Sequence, residues 1–285
     1  MKYAALMFDV IESRKYYMRH DVQKILMNSV DYLNDLYRSL IKKEVVSSAG
    51  DEFQGLFLDL QSAYLYIRKL QILVFPIKLR CGIGYGEIKY DVEEWSSSAI
   101  DGEAYYLARE AIVSISRKKG NTICFNTKSK YDKYLNELCL SNLRVKATQS
   151  QVGHIIDLIA DIMLPIVYKE ENKNFYNVIL ERKYELIDQE HWNKVSARQR
   201  EVNILNVDCG ILFDNVEEYM KKKDEEQKFY MHEFWVHGMS TDIARIMNTT
   251  RQNIDRYISL GRIKECRTTD KAIYELLGEE IWQNI

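Results

Sequence analysis

Two short runs, Glu44-Val45-Val46-Ser47-Ser48 and Phe53-Gln54-Gly55-Leu56-Phe57-Leu58, flank Ala49-Gly50-Asp51-Glu52 and decide the fold. Apolar runs of this length on either side of a Gly-Asp pair read as a β-hairpin, here with an acidic tip. Upstream, Tyr3 to Phe8 is an apolar run fit for a buried strand, ending at Asp9. From Asp21 to Lys42, Val22, Ile25, Leu26, Leu33, Leu36, Tyr37 and Leu40 recur at helical spacing, with charges between them. Downstream, a second helix follows over Gln61 to Leu73. Pro76 then turns the chain into a strand from Ile77 to Tyr85, where Gly82 and Gly84, with Gly86 just beyond, point to close approach of another backbone or a ligand. The order strand, helix, strand, strand, helix, strand predicts an α+β, ferredoxin-like (split βαβ) arrangement, its sheet antiparallel and its helices over one face. A third helix is expected from Asp101 to Lys118, and Thr122 to Phe125 can add one more strand. Beyond Tyr131 strand signals fade. Ile155 to Met163 and Glu201 to Val207 carry helical stripes, and Phe175 to Ile187 reads equally as strand or helix.

Composition narrows the function classes. With 285 residues, 46% of them hydrophobic, the chain can bury a sizeable core in about two domains. Lys and Arg number 40 against 42 Asp and Glu, so a polyanionic partner must be met by a local patch. No window reaches the roughly 18 apolar residues of a membrane span, and the first nine residues are too short and too soon acidic for a signal peptide. A cytoplasmic protein without a membrane partner is the expectation. The five cysteines are scattered and the five histidines lack zinc spacing, so reduced thiols and no His-based metal site are expected.

Folding the hairpin beside the first strand brings Asp9 toward Asp51 and Glu52, and gathered carboxylates need a cation. Hard oxygen ligands suit Mg²⁺ or Mn²⁺ held together with nucleotide phosphates. An ordinary hairpin turn and a solvated strand end account for the same residues, and pattern alone leaves both readings open. Arg14, at the start of an expected helix, suits either a phosphate contact or a solvated helix start.

Ala49-Gly50-Asp51-Glu52-Phe53 resembles the GGDEF signature of diguanylate cyclases. Leu79-Arg80-Cys81-Gly82-Ile83-Gly84-Tyr85-Gly86 resembles the R-x-G-I-x-x-G strand of class III nucleotidyl cyclases, and Asp101 to Arg109 is similar to their G-x-x-V-N-x-A-A-R helix. The most specific resemblance is to the SatD family, carried by Asp9-Val10-Ile11-Glu12-Ser13-Arg14, Ala49 to Gly55 and Asp101 to Arg109. The cyclase likeness implies a palm domain with a two-metal site: Asp9 and Asp51 as ligands of Mg²⁺ or Mn²⁺, with the Val10 carbonyl close to the second ion. It implies Arg14, Gly50, Glu52, Asp101 and Arg109 as nucleotide-binding residues, and Arg109 as the candidate catalytic group at the phosphate or leaving group. The pattern departs from these families at Ala49, which replaces the first glycine of GGDEF, and at Tyr106, which replaces the asparagine of the cyclase helix. Arg109 also comes one residue early.

Near the C-terminus, Met239 to Ile258 resembles a helix-turn-helix. Ser240 or Thr241 can cap a helix with Ile243, Ala244 and Met247 inward, Asn248 tolerates a left-handed turn, and Thr250 can cap a second helix carrying Ile254 and Ile258. Arg251, Gln252, Asn253 and Arg256 would project from that helix toward base edges or phosphates, with Arg262, Lys264 and Arg267 adding charge beyond it. A helical hairpin used for dimerisation fits the same pattern, since Asp242 and Asp255 dilute the basic face.

The expected organisation is a cyclase-like palm over 1–145, a helical connecting region over 146–227 and a helix-turn-helix module over 228–285. The expected function is regulation: a metal-dependent palm that binds a nucleoside triphosphate or cyclic nucleotide, coupled to a module that binds duplex DNA. The alternatives are an active nucleotidyl cyclase and a DNA-binding regulator with a non-catalytic palm. A homodimer is suggested by analogy, because cyclase sites form between palms.

Overall fold

The computed structural model describes residues 1–16, 19–88, 101–117, 120–169, 174–180, 207–208, 216–226, 233–279 and 282. It is an α+β structure that divides into two compact units, Met1–Ala147 with Ala272–Ile285, and Thr148–Lys271. The last residues, from Ala272, group with the first unit rather than with a module over 228–285.

The first unit is built on β1 (Lys2–Val10), α1 (Arg19–Leu36), β2 (Ile41–Ala49), β3 (Glu52–Phe57), α2 (Leu60–Val74), β4 (Leu79–Glu87), α3 (Glu103–Ser114), β5 (Thr122–Asn126) and α4 (Asp132–Lys146). The five strands form one sheet in the order β2-β3-β1-β4-β5. β1 runs antiparallel to both β3 and β4, and β2 is antiparallel to β3. The expected all-antiparallel sheet is corrected at its edge, where β5 pairs parallel to β4. A parallel partner needs a long crossover, and α3 supplies it.

The helices also cover both faces of the sheet rather than one. Paired residues in neighbouring strands point to the same side and successive residues to opposite sides. Ala5 and Met7 of β1, opposite Gly84 and Gly82, pack with Ala104, Tyr105 and Ala108 of α3. Phe57, opposite Ala4, has the other parity, and its ring meets Tyr66 of α2 edge-on at 5.2 Å. The glycines of β4 explain how close α3 comes. A Cβ on Gly84 would lie 2.2 Å from the Ala104 carbonyl oxygen, and one on Gly82 equally close to that of Ala108. On the other face, Asn34 of α1 is buried and serves as a partner for the irregular part of β2: its Nδ2 donates to the Val45 carbonyl at 2.9 Å and its Oδ1 accepts from the Val45 N–H at 3.1 Å. The predicted first helix ends six residues early because Ile41 already pairs with Phe57. The tail joins this unit through Gln61, whose Nε2 donates to the Tyr274 carbonyl at 2.9 Å, and through Trp282, whose ring meets Tyr131.

The second unit holds α5 (Gln151–Met163), α6 (Val216–Glu226), α7 (Met239–Ile246), α8 (Arg251–Gly261) and most of α9 (Ile263–Leu277). Residues 174–180 are helical, which resolves the start of the ambiguous Phe175 to Ile187 segment; 181–187 and 201–206 lie outside the described residues. α5 is apolar on nearly every side, yet it buries Asp157 and Asp161 one turn apart. Arg267 of α9 is fully buried against them, Nη1 at 3.5 Å from Asp161 Oδ1 and 3.8 Å from Asp157 Oδ1, with Nη2 donating to the Leu164 carbonyl at 2.5 Å. The sequence reading placed Arg267 among surface cations. Instead it is the charge partner of a buried helix, with Phe234 stacked on its guanidinium at 5.1 Å. Cys81, Cys124, Cys139 and Cys266 are free thiols, and burial pushes the Cys81 thiol well up. Among the described residues no helix is long and apolar enough to cross a membrane.

Two stability measurements check this packing. Gly84→Ala drives a methyl into helix backbone that cannot yield, so urea unfolding is expected to show a loss of about 2–3 kcal/mol. Gly120→Ala, with open space around it, should change stability by less than about 0.5 kcal/mol. Arg267→Met keeps apolar volume but strands two buried carboxylates, for an expected loss of about 3–5 kcal/mol. Adding Asp157→Asn and Asp161→Asn to that variant should recover part of it; a triple variant no more stable than Arg267→Met would mean the charges are not coupled.

Candidate functional site

The hairpin closes on a two-residue turn, Gly50-Asp51, with Gly50 at φ +64°, a left-handed conformation that suits glycine. Asp51 and Glu52 are exposed at the tip. Glu52 is the register partner of Asp9, so both carboxylates stand on the α3 face of the sheet, near its end. Asp9 is also opposite Arg80 in β4. Arg80 grips it with Nε at 3.0 and 3.2 Å from the two carboxylate oxygens and Nη2 at 2.8 Å from Oδ2, and its Nη1 donates to the Ser116 carbonyl beyond α3. This is a bidentate, charge-assisted pair with both partners mostly buried. Of the acidic residues at this end, Asp9 thus has a cationic partner within the chain itself. Sequence likeness brings in Arg80 only as part of a cyclase-type strand; the signal for its place at the site is its parity, two residues from Gly82 and so on the same face as Asp9.

Other basic residues collect around this end of the sheet. Ile11 N–H donates to the Lys78 carbonyl at 2.9 Å, and Lys78 N–H donates to the Tyr16 hydroxyl at 3.1 Å. Glu12 takes a left-handed φ of 54° and leads into a single turn, Ser13–Lys15, in which Lys15 pairs with Glu12 at 2.6 Å. Arg14 is exposed in that turn, not at the start of α1, which begins at Arg19. Arg19 Nε donates to the Ser13 carbonyl at 3.4 Å, and Arg117 follows the Ser116 that Arg80 contacts. Arg14, Lys15, Arg19, Lys78 and Arg117 are thus exposed cations on the segments that leave and enter this end of the sheet. Val10 is buried at the last β1–β4 pair, opposite Leu79.

Asp101 is not brought to this end, whereas Arg109 follows Ala108, whose carbonyl packs on Gly82, two residues from Arg80. Gly86 packs on Glu103, and Ile88 bridges Gly102, so the start of α3 sits at the far end of β4 from Arg80. Seven strand residues separate the two ends, about 23 Å. Asp101 is engaged locally, accepting from its neighbour Gly102 N–H at 2.8 Å and from the Tyr106 hydroxyl at 2.7 Å, which pushes the Tyr106 phenol up. Arg109 stands on the exposed side of α3, whose Ala104, Ala108 and Ala111 face the sheet. Among the described residues no group of three or more His, Cys, Asp or Glu is placed to hold a metal ion.

In the second unit, α7 and α8 are joined by a short turn through Asn248 at φ 48°. Thr250 caps α8, its hydroxyl accepting from Asn253 N–H at 3.3 Å. α7 starts earlier than the expected Ser240 or Thr241 cap, because Gly238 at φ 98° takes the N-cap position. Ile243, Ala244, Ile254 and Ile258 are buried between the helices, whereas Arg251, Gln252, Asn253 and Arg256 are all exposed. The acidic residues that would dilute this face are engaged. Asp255 pairs with Arg251 at 3.3 Å, and Asp242 pairs with Arg245 at 3.2 Å. Asp242 also accepts from the Tyr219 hydroxyl of α6, a phenol pushed up by burial and by that carboxylate.

No curated protein matches the chain. The profile of the SatD family matches residues 3–194, which takes in the whole sheet with its hairpin and Arg80–Asp9 pair but stops short of α7 and α8. With more than half of its length so matched, the chain belongs to the SatD family.

Proposed function

We propose that this chain is a regulator that binds duplex DNA through α8 and links that binding to a nucleoside triphosphate or cyclic nucleotide, held with Mg²⁺ or Mn²⁺ at the Asp9 end of the sheet. The observation that carries the reading is the exposed face of α8. Arg251, Gln252, Asn253 and Arg256 lie within its first two turns, on a helix whose entry is fixed by the Thr250 cap and the left-handed Asn248. A short capped helix crossing a preceding one, with its first turns polar and basic, suits the major groove as a helix-turn-helix does. The arginines of this face suit phosphates or base edges, Arg251 releasing counterions, and an amide side chain beside them suits a base edge.

For the first unit, the strand order β2-β3-β1-β4 with helical crossovers supports reading it as a ferredoxin-like palm. Asp9, Asp51 and Glu52 do not form a ready three-carboxylate cage, but one or two carboxylates suffice for Mg²⁺ when phosphates complete its shell. A bound ion would neutralise phosphate charge there. The chain's own part is to orient Asp9 through Arg80 and to meet phosphates with Arg14, Lys15, Lys78 and Arg117. Turnover is not part of this reading. A cyclase would need Arg109 at the phosphate, and its place on the outer side of α3 would require a second copy of the chain to supply it.

Retention of the full-length protein on random duplex DNA should fall as salt rises, and Arg251→Ala should weaken it on any sequence and lower the log–log salt slope by about one. Salt-insensitive retention, or none, would make α7 and α8 an assembly element. For the first unit, calorimetric titration with Mn²⁺ and a non-hydrolysable nucleoside triphosphate should give binding that Asp51→Asn and Asp9→Asn weaken by about tenfold or more, equivalent to about 1.4 kcal/mol. Equal affinity in both folded variants would remove the carboxylates from the site.

A further inference from the structure

Resting on the DNA-binding reading of α8, we infer that Gln252 and Arg256 are the residues that set its sequence preference, and that the preferred duplex carries an adenine and a guanine about two base pairs apart. The buried stripe of α8 is Ile254, Ile258 and Gly261. At about 100° per residue, Gln252 and Arg256 point within about 30° of the direction opposite that stripe, while Arg251 and Asp255 lie on one flank and Asn253 on the other. The outermost direction of a helix laid in a groove meets the base edges, and the flanks meet the two backbones.

Side-chain engagement divides the same four residues in the same way. Arg251 Nε donates to Asp255 Oδ2 at 3.3 Å, and Asn253 Nδ2 donates to the Thr249 hydroxyl at 3.1 Å, which turns its amide back toward the α7–α8 turn. Gln252 and Arg256 have no side-chain partner among the described residues, and both are exposed. This narrows base reading from the four exposed residues Arg251, Gln252, Asn253 and Arg256 to the pair Gln252 and Arg256, one turn apart.

The chemistry of the two side chains then names the bases. A glutamine amide pairs both its atoms with N6 and N7 of adenine, and a guanidinium pairs two N–H groups with O6 and N7 of guanine. Four residues of helix rise about 6 Å, close to two base-pair steps.

The test is selection from a random duplex library with the full-length protein, followed by titration of the selected duplex. Wild type should enrich a site holding a guanine and an adenine at this spacing. Arg256→Ala should lose preference at the guanine alone and Gln252→Ala at the adenine alone, each weakening the selected site by about 5- to 150-fold and random duplex by less than about twofold in the case of Gln252. Asn253→Ala and Arg251→Ala should leave the enriched site unchanged. A wild-type site that persists in both the Gln252 and the Arg256 variants, or that is lost in Asn253→Ala, overturns the assignment while leaving DNA binding intact. Salt-dependent retention without any enriched site does the same. Absence of retention on any duplex sinks the DNA-binding reading itself, and this assignment with it.

Discussion

The constraint on which the first unit depends is the backbone-to-backbone contact between β4 and α3. Glycines at 82 and 84 allow helix carbonyls and amides to occupy the space where side chains would stand, and Ala104 and Ala108 keep the helix side equally bare. Once α3 lies flat on β4, it can serve as the crossover that returns the chain parallel to β4 as β5. The same parity that aims the glycines at α3 aims Arg80 there too, beneath the carbonyl of Ser116 and beside Asp9. Packing and electrostatics at this end of the sheet are thus consequences of one alternation along one strand.

Two guanidinium–carboxylate groups in the molecule illustrate different uses of that chemistry. Arg267 is fully enclosed, and its two aspartates face it from a helix that is otherwise apolar. Desolvation of such a group offsets much of its attraction, so its effect is chiefly to fix which helices can meet and in which register. Arg80 and Asp9 retain some contact with solvent, at the end of the sheet whose flanking segments carry exposed cations. That pair can exchange partners at far lower cost, which is what a site for a charged ligand requires.

Much of this was legible in the sequence. The strand and helix periods, the Gly-Asp hairpin, the close approach at Gly82 and Gly84, the left-handed Asn248 and the Thr250 cap are local signals, each tied to a residue whose backbone preference leaves little choice. The placement of Asp9 across from the hairpin tip followed from strand order alone. What escaped were relations set by tertiary register. Arg80 reads as a surface residue until β4 is paired with β1. Arg267 reads as one more cation after a basic helix until Asp157 and Asp161, more than a hundred positions earlier, are brought to it. Asp101 looks like part of a phosphate site by likeness to cyclase helices, but α3 starts beside Gly86 and Ile88, at the opposite end of β4 from Arg80.

The first unit is discontinuous in the chain, closed by residues from Ala272 onward. During synthesis the sheet strands are all available once Asn126 has left the ribosome, but the partner of the Gln61 amide and the ring that meets Tyr131 are encoded after the entire second unit. At about 5–20 residues per second, that interval is on the order of ten seconds. Throughout it, the nascent unit lacks these two contacts. A polypeptide terminated before Ala272 would lack both contacts, so the packing of α2 and Tyr131 is coupled to sequence more than a hundred positions away.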